Sequence, residues 1–171
     1  MKFIPICTLV LITFLSACTN NEAQTDFERD AYQDPSGITQ TNAQGDVISV
    51  DPDDWRSSPF FEGLFEVIPP FQNPAPLGIA INFEVQVTGV QGVTGLDVRV
   101  RFPNGAFSSI YTSTGISTST NNQLQPGLTT FQINPIALSQ DGSDNLARGI
   151  HRIYFFDFNQ RLISYGDIEV E

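Results

Sequence analysis

The feature that most constrains this chain is a two-residue alternation in its middle. In GIAINFEVQVTGV, Ile79, Ile81, Phe83, Val85 and Val87 share one parity, and Asn82, Glu84, Gln86 and Thr88 the other. In GLDVRVRF, Leu96, Val98, Val100 and Phe102 alternate with Asp97, Arg99 and Arg101. Successive side chains of a strand point to opposite faces, so each segment has one apolar and one polar face. This is the pattern of half-buried antiparallel strands. Leu64–Ile68, IYTS, LTTFQIN, IHRIYFFDFN and RLISYGDIEVE read as further strands. Pro103-Asn104-Gly105 is a hairpin signal, and Asn159-Gln160 joins the last two strands. GVQGVTG reads as a glycine-punctuated turn, and the Ser/Thr/Asn/Gly run Thr112–Gln125 as an exposed loop. Seven or so short strands with turn signals predict an all-β, antiparallel β-sandwich, with no helix.

The segment before that region is different in kind. Thr19–Ser58 holds nine acids and two arginines, with scattered apolar residues. Such a composition buries too little apolar surface to offset its conformational entropy. It predicts a disordered acidic tether over 18–58, with an r.m.s. reach of roughly 35 Å, ahead of a sandwich domain over 59–171. Val47–Val50 is a candidate added strand.

Residues 1–17 have the features of a signal peptide. Lys2 is followed by an apolar run from Phe3 to Leu15, too short to span a bilayer. The run exits through Leu15-Ser16-Ala17-Cys18, which resembles the bacterial lipoprotein lipobox at all four positions. The resemblance implies cleavage before Cys18, thioether lipidation of its sulfur and acylation (palmitate or a similar chain) of the new amino terminus. Each buried methylene contributes about 0.8 kcal/mol, so two or three chains form a lasting anchor. Thr19 rather than Asp after the cysteine implies the outer membrane of the cell envelope.

Cleavage there leaves seven basic residues, all Arg, against 19 acids, a net charge of −12. A chain this acidic is a poor match to nucleic acid or anionic lipid headgroups. Loss of Lys2 leaves no lysine, which excludes a P-loop or a Schiff base. Loss of Cys7 leaves Cys18 alone, and His151 is the only histidine. No intramolecular disulfide, thiol nucleophile or two-histidine zinc site is then available within one chain. No Gly-x-Ser-x-Gly elbow occurs either. The reading is non-enzymatic, with no cofactor.

From Pro69 to Glu171 the punctuation resembles the immunoglobulin-like domain of the flagellar hook-capping family and of type IX secretion sorting domains. The matching residues are Asn73, Pro74, Ile81, Phe83 and Val85, then LDVRVRFPNGA, LQPGLTTFQIN, and DGSDNLARGIHRIYFF with Gly149 and Ile150. His151 stands where that pattern has Tyr. The resemblance implies an immunoglobulin-like sandwich and carries no catalytic residue.

Three groups of residues are candidate sites. In IHRIYFFDFN, Tyr154, Phe156 and Phe158 share a face with Ile150 and Arg152, while Ile153 and Phe155 take the other. Apolar residues on both faces imply either a cover, for which Phe60, Phe61, Leu64, Phe65 and Phe71 are suited, or a binding patch. Asp141, Asp144 and Asn145 are weak calcium candidates, as are Asp51, Asp53 and Asp54, but neither run has EF-hand spacing and both suit ordinary turns. Asp97, Arg99 and Arg101 read as a solvated outer face rather than a charge ladder with Glu84. The expected function is a membrane-anchored binding or scaffold module with an envelope protein or glycan as partner. The alternatives are a carbohydrate-binding accessory or a calcium-stabilised adhesion module.

Overall fold

A computed structural model describes residues 22–90, 92–113 and 124–171. The expected signal peptide, Cys18 and most of the expected Thr112–Gln125 loop lie outside these residues. The described residues open in a helix that runs to residue 31, here α1 (22–31 described). A two-stranded ribbon follows, β1 (Gln40–Thr41) with β2 (Val47–Ser49). Then come β3 (Phe65–Phe71), β4 (Ile81–Val87), β5 (Leu96–Arg101), β6 (Phe107–Ser113) and β7 (Gly127–Ile133). A 3₁₀ turn at Pro135–Leu138 and a short α2 (Asp144–Ala147) precede β8 (Gly149–Phe156) and β9 (Leu162–Val170).

The expected all-β antiparallel sandwich is what forms. One sheet has the order β3-β4-β7 and the other β6-β5-β8-β9, an immunoglobulin-like arrangement. The alternation places the residues as read within the strands, while Ile79, read with the same face, lies before β4 and is exposed. Ile81, Phe83, Val85 and Val87 of β4 are buried, as are Leu96, Val98 and Val100 of β5, and both sets join Ile153 and Phe155 in one core. Pro69-Pro70 is tolerated because β3 is an edge strand, and its register shifts between Ile68 and Phe71. The Asn104-Gly105 hairpin joins β5 to β6, with Gly105 at φ +82°.

β4 and β5 belong to different sheets, so the glycine-punctuated turn GVQGVTG carries the chain from one sheet to the other. One side chain differs from the sequence reading: Asp97 is not solvated. It is 8% exposed and accepts from Arg99 Nε at 2.8 Å and Ser109 Oγ at 2.6 Å.

The larger correction concerns 22–58, which composition assigns to a tether. These residues fold onto the sandwich. Gln24, Phe27 and Ala31, at i, i+3 and i+7, form the buried stripe of α1. Trp55 enters the main core, its ring edge-on to Phe83 and Phe155. The backbone N–H groups of Trp55 and Ser58 donate to Tyr165 and Ile163 at 2.7 Å each, covering the outer edge of β9. Thr41 and Asn73 exchange backbone hydrogen bonds, tying β1 to the chain beyond β3. Backbone bonding and a few large side chains fix this segment, and hydropathy registers neither.

Candidate ligand-binding cleft

The outer face of β8 and β9 is apolar, and α1 covers it. Phe27 and Ala31 form a second small core with Tyr154, Phe156, Leu162 and Tyr165. Tyr154 is 1% exposed and Phe156 6%, so neither is an open binding surface. Tyr32, just past α1, stacks on Tyr154 with centroids 5.7 Å apart. Phe158 is half-buried, its ring lying where a side chain on Gly95 would sit. The cover is thus not the Phe60–Phe71 segment. Phe61 and Phe65 of that segment belong to the main core between the sheets.

Arg152 joins α1 to the sheet. Its Nη1 donates to three carbonyls at the end of the helix, of Asp30, Ala31 and Gln33, at 3.2, 3.3 and 2.9 Å. These are groups that a helix C-terminus leaves unpaired, and a cation complements the dipole there. Its Nε and Nη2 donate to Asp167, and its guanidinium lies 5.0 Å from the centroid of the Tyr165 ring. Asp54 lies close to this pair and accepts from the backbone N–H of Thr39 at 2.6 Å and of Asp167 at 2.8 Å. Burial raises its pKa to about 7, with the Asp167 charge adding to the rise and the two amide bonds opposing it. Burial also raises Asp167, against the pull of Arg152. Asn73 is fully buried and donates to the carbonyls of Thr39 and Asp167 while accepting from Glu169 N–H.

An open cleft of about 640 Å³ lies where β5 ends and β8 begins. Its walls come from three parts of the chain: 33–35 after α1, 101–103 at the β5–β6 turn, and 138–154 around α2 and into β8. Phe102, Pro103, Leu138, Leu146 and Ile150 are its apolar lining. Arg101, Arg148 and Arg152 line it against one carboxylate, Asp34. Arg152 is committed to Asp167 and the helix carbonyls, and Arg101 holds the Tyr32 carbonyl at 3.0 Å through Nη1. Arg148 is exposed and has no ion pair or hydrogen bond among the described residues. His151 Nε2 lies 2.8 Å from the Ala147 carbonyl, which makes Nε2 the protonated nitrogen of a neutral ring. Burial lowers its pKa, and the Ala147 bond opposes that shift.

The acidic runs serve local structure. Asp141 accepts from Ser143 N–H at 2.9 Å, and Ser143 in turn caps α2 by accepting from Leu146 N–H. Asp144 occupies the first turn of that helix, and Asn145 lines the cleft. Asp51 accepts from Asp53 N–H, while Asp54 is buried as described. Among the described residues no three His, Cys, Asp or Glu side chains are placed to hold a metal ion. Nor is any helix there long and apolar enough to cross a membrane. Sequence reading missed the cleft because its lining is spread over more than a hundred positions. The one available signal was the crowding of Arg148, Arg152 and His151, in a chain with seven arginines, beside an apolar strand.

No protein-family model matches the chain, and no curated protein does. Among solved structures it is similar to a β-glucosidase from Listeria innocua, at 18% identity and a TM-score of 0.38, over 62% of this chain and 16% of that one. A mutant of that enzyme in complex with laminaribiose gives 19% identity and the same TM-score, over 63% and 16%. The chain therefore spans about one sixth of these proteins, a similarity too slight to bear on its activity.

Proposed function

We propose that the protein is a cell-envelope lipoprotein held by acyl chains on Cys18, with its sandwich acting as a non-enzymatic binding or scaffold module. The observation that carries the anchor is the Leu15-Ser16-Ala17-Cys18 motif, and the position of α1 supports a short link from it to the folded unit. The helix, described from residue 22, is built into the sandwich through Phe27, Ala31 and the Arg152 cap. Four residues span at most about 14 Å, so the folded unit follows the lipid directly. The module rides against the bilayer, within reach of other envelope components, with no 40-residue leash.

The lone imidazole is tied to a backbone carbonyl, which suits a structural part better than that of a general base. The cleft supplies a concave surface of a size common for small-ligand sites. The test is fractionation of the native protein and of Cys18→Ala, with mass spectrometry of the Cys18 peptide and of co-purifying proteins. A lipid mass on Cys18 and release of the variant into the soluble fraction are expected. Detergent-dependent membrane association of Cys18→Ala would overturn the anchor.

A further inference from the structure

The cleft beside β8 has a chemistry at odds with the rest of the molecule. The chain carries 19 acids, yet this cleft gathers three of its seven arginines against Asp34 alone. Low-dielectric walls strengthen such a local field. Arg148 has no partner among the described residues, and neither do the side-chain amides of Gln140 and Asn145 on the same rim. Across the cleft, Arg101 holds the Tyr32 carbonyl through Nη1 and makes a side-chain hydrogen bond with Tyr154, and its five-donor fork keeps further N–H groups for a ligand.

We propose that this cleft binds an acidic sugar unit, in which an oxyanion substituent meets Arg148 and Arg101 and a hydroxylated ring lies along Phe102, Leu146 and Ile150. A guanidinium fork matches a carboxylate or phosphate in two parallel hydrogen bonds. The free amides of Gln140 and Asn145 both donate and accept, as ring hydroxyls require. Apolar walls accept the C–H faces of a ring. The volume of about 640 Å³ admits a ligand of this size with room for water. The inference rests on the reading of the chain as a binding module, but not on its lipid anchor.

The shared chemistry is an oxyanion on a sugar ring, and its source is either a carboxylate or a phosphate ester. The experiment is an NMR titration of the folded protein with galacturonate, galactose 6-phosphate, galactose and inorganic phosphate. One of the two acidic sugars is expected to saturate shifts at Arg148, Asn145 and Ile150, and which one identifies the anion. Arg148→Gln removes a charged hydrogen-bond donor and should weaken that binding about tenfold or more. Arg148 makes no hydrogen bond or ion pair among the described residues, so an unchanged melting temperature is expected and will show that this variant folds.

Three results would overturn the proposal. They are equal binding of galactose and the acidic sugars, inorganic phosphate matching galactose 6-phosphate while galacturonate fails, or no saturable shift with any probe at high millimolar concentration. Recovery of the same stoichiometric envelope partner by native protein and by Arg148→Gln would leave the binding-module reading standing without this cleft.

Discussion

Arg152 and Asp167 face each other directly across the β8–β9 ladder, with Nε to Oδ1 at 2.8 Å and Nη2 to Oδ2 at 2.7 Å. Both are buried, and the third guanidinium nitrogen holds the end of α1. One ion pair therefore joins the amino-terminal helix to the final hairpin of the sandwich.

Breaking that pair from one side should cost much of the stability. Arg152→Met leaves the Asp167 carboxylate buried without its cation and frees three helix carbonyls. A loss of about 3–5 kcal/mol is expected for one missing partner, measured by urea unfolding. Amide exchange should show α1 opening first. A loss below about 1 kcal/mol would mean that the pair is not the joint described.

Stability should fall as pH rises through neutrality. The folded pKa of Asp54, about 7, lies above its ordinary value of 3.8. The native state therefore holds this proton more tightly than the unfolded chain does. The resulting stability is complete below about pH 4 and is lost as pH rises through 7. Asp167, also raised, acts in the same direction. His151 acts oppositely: its lowered pKa favours the neutral ring, and stability is lost as pH falls below the ordinary histidine range. Asp54→Asn should flatten the loss between pH 4 and 7, read as melting temperature against pH. An unchanged slope would assign the loss to other groups.

Gly166→Ala should disturb the only tryptophan. A Cβ on Gly166 would fall within the Trp55 indole, which lies flat against that backbone. Trp55 itself sits at φ +61° and has little freedom to withdraw. Overpacking of this kind costs roughly 1–3 kcal/mol. The chain's one tryptophan gives a clean fluorescence readout, and a red shift with lowered stability is expected. A native spectrum and melting curve would show that Trp55 is not packed there.

Phe27→Ala should unseat α1 without dismantling the sandwich. Phe27 is the only large apolar side chain on the buried stripe and packs on Tyr165 at 5.1 Å between centroids. A loss of about 3–5 kcal/mol is expected for a buried Phe→Ala change. Uncovering Tyr154 and Phe156 should also raise binding of a hydrophobic dye. Native stability with no added dye binding would detach α1 from the fold.

Much of the sandwich was legible in the residues themselves. The parity of Ile81–Val87 and Leu96–Val100 dictates strands with one buried face, since a one-residue slip would expose every apolar side chain. The two apolar faces of IHRIYFFDFN implied either a cover or a binding patch on the outer side, and both faces are covered. The identity of the outer cover was not legible. α1 presents one Phe, one Ala and one Gln to the sheet, a stripe too weak for hydropathy to reveal.

What the sequence by itself determined is the local part: which segments are strands, which side chains of each face inward, and where the turns fall. Those outcomes depend on alternation and turn chemistry within a few residues. Only the tertiary structure decided that 22–58 belongs to the folded unit, that β4 and β5 part into different sheets, and that Arg101 and Arg148 line one cleft. The physical reason is the same in each case. Partners such as Arg152 and the Asp30 carbonyl, or Asp54 and the Asp167 amide, lie more than a hundred residues apart in the chain. Their bonds form only once the sheets have closed and water is excluded around them.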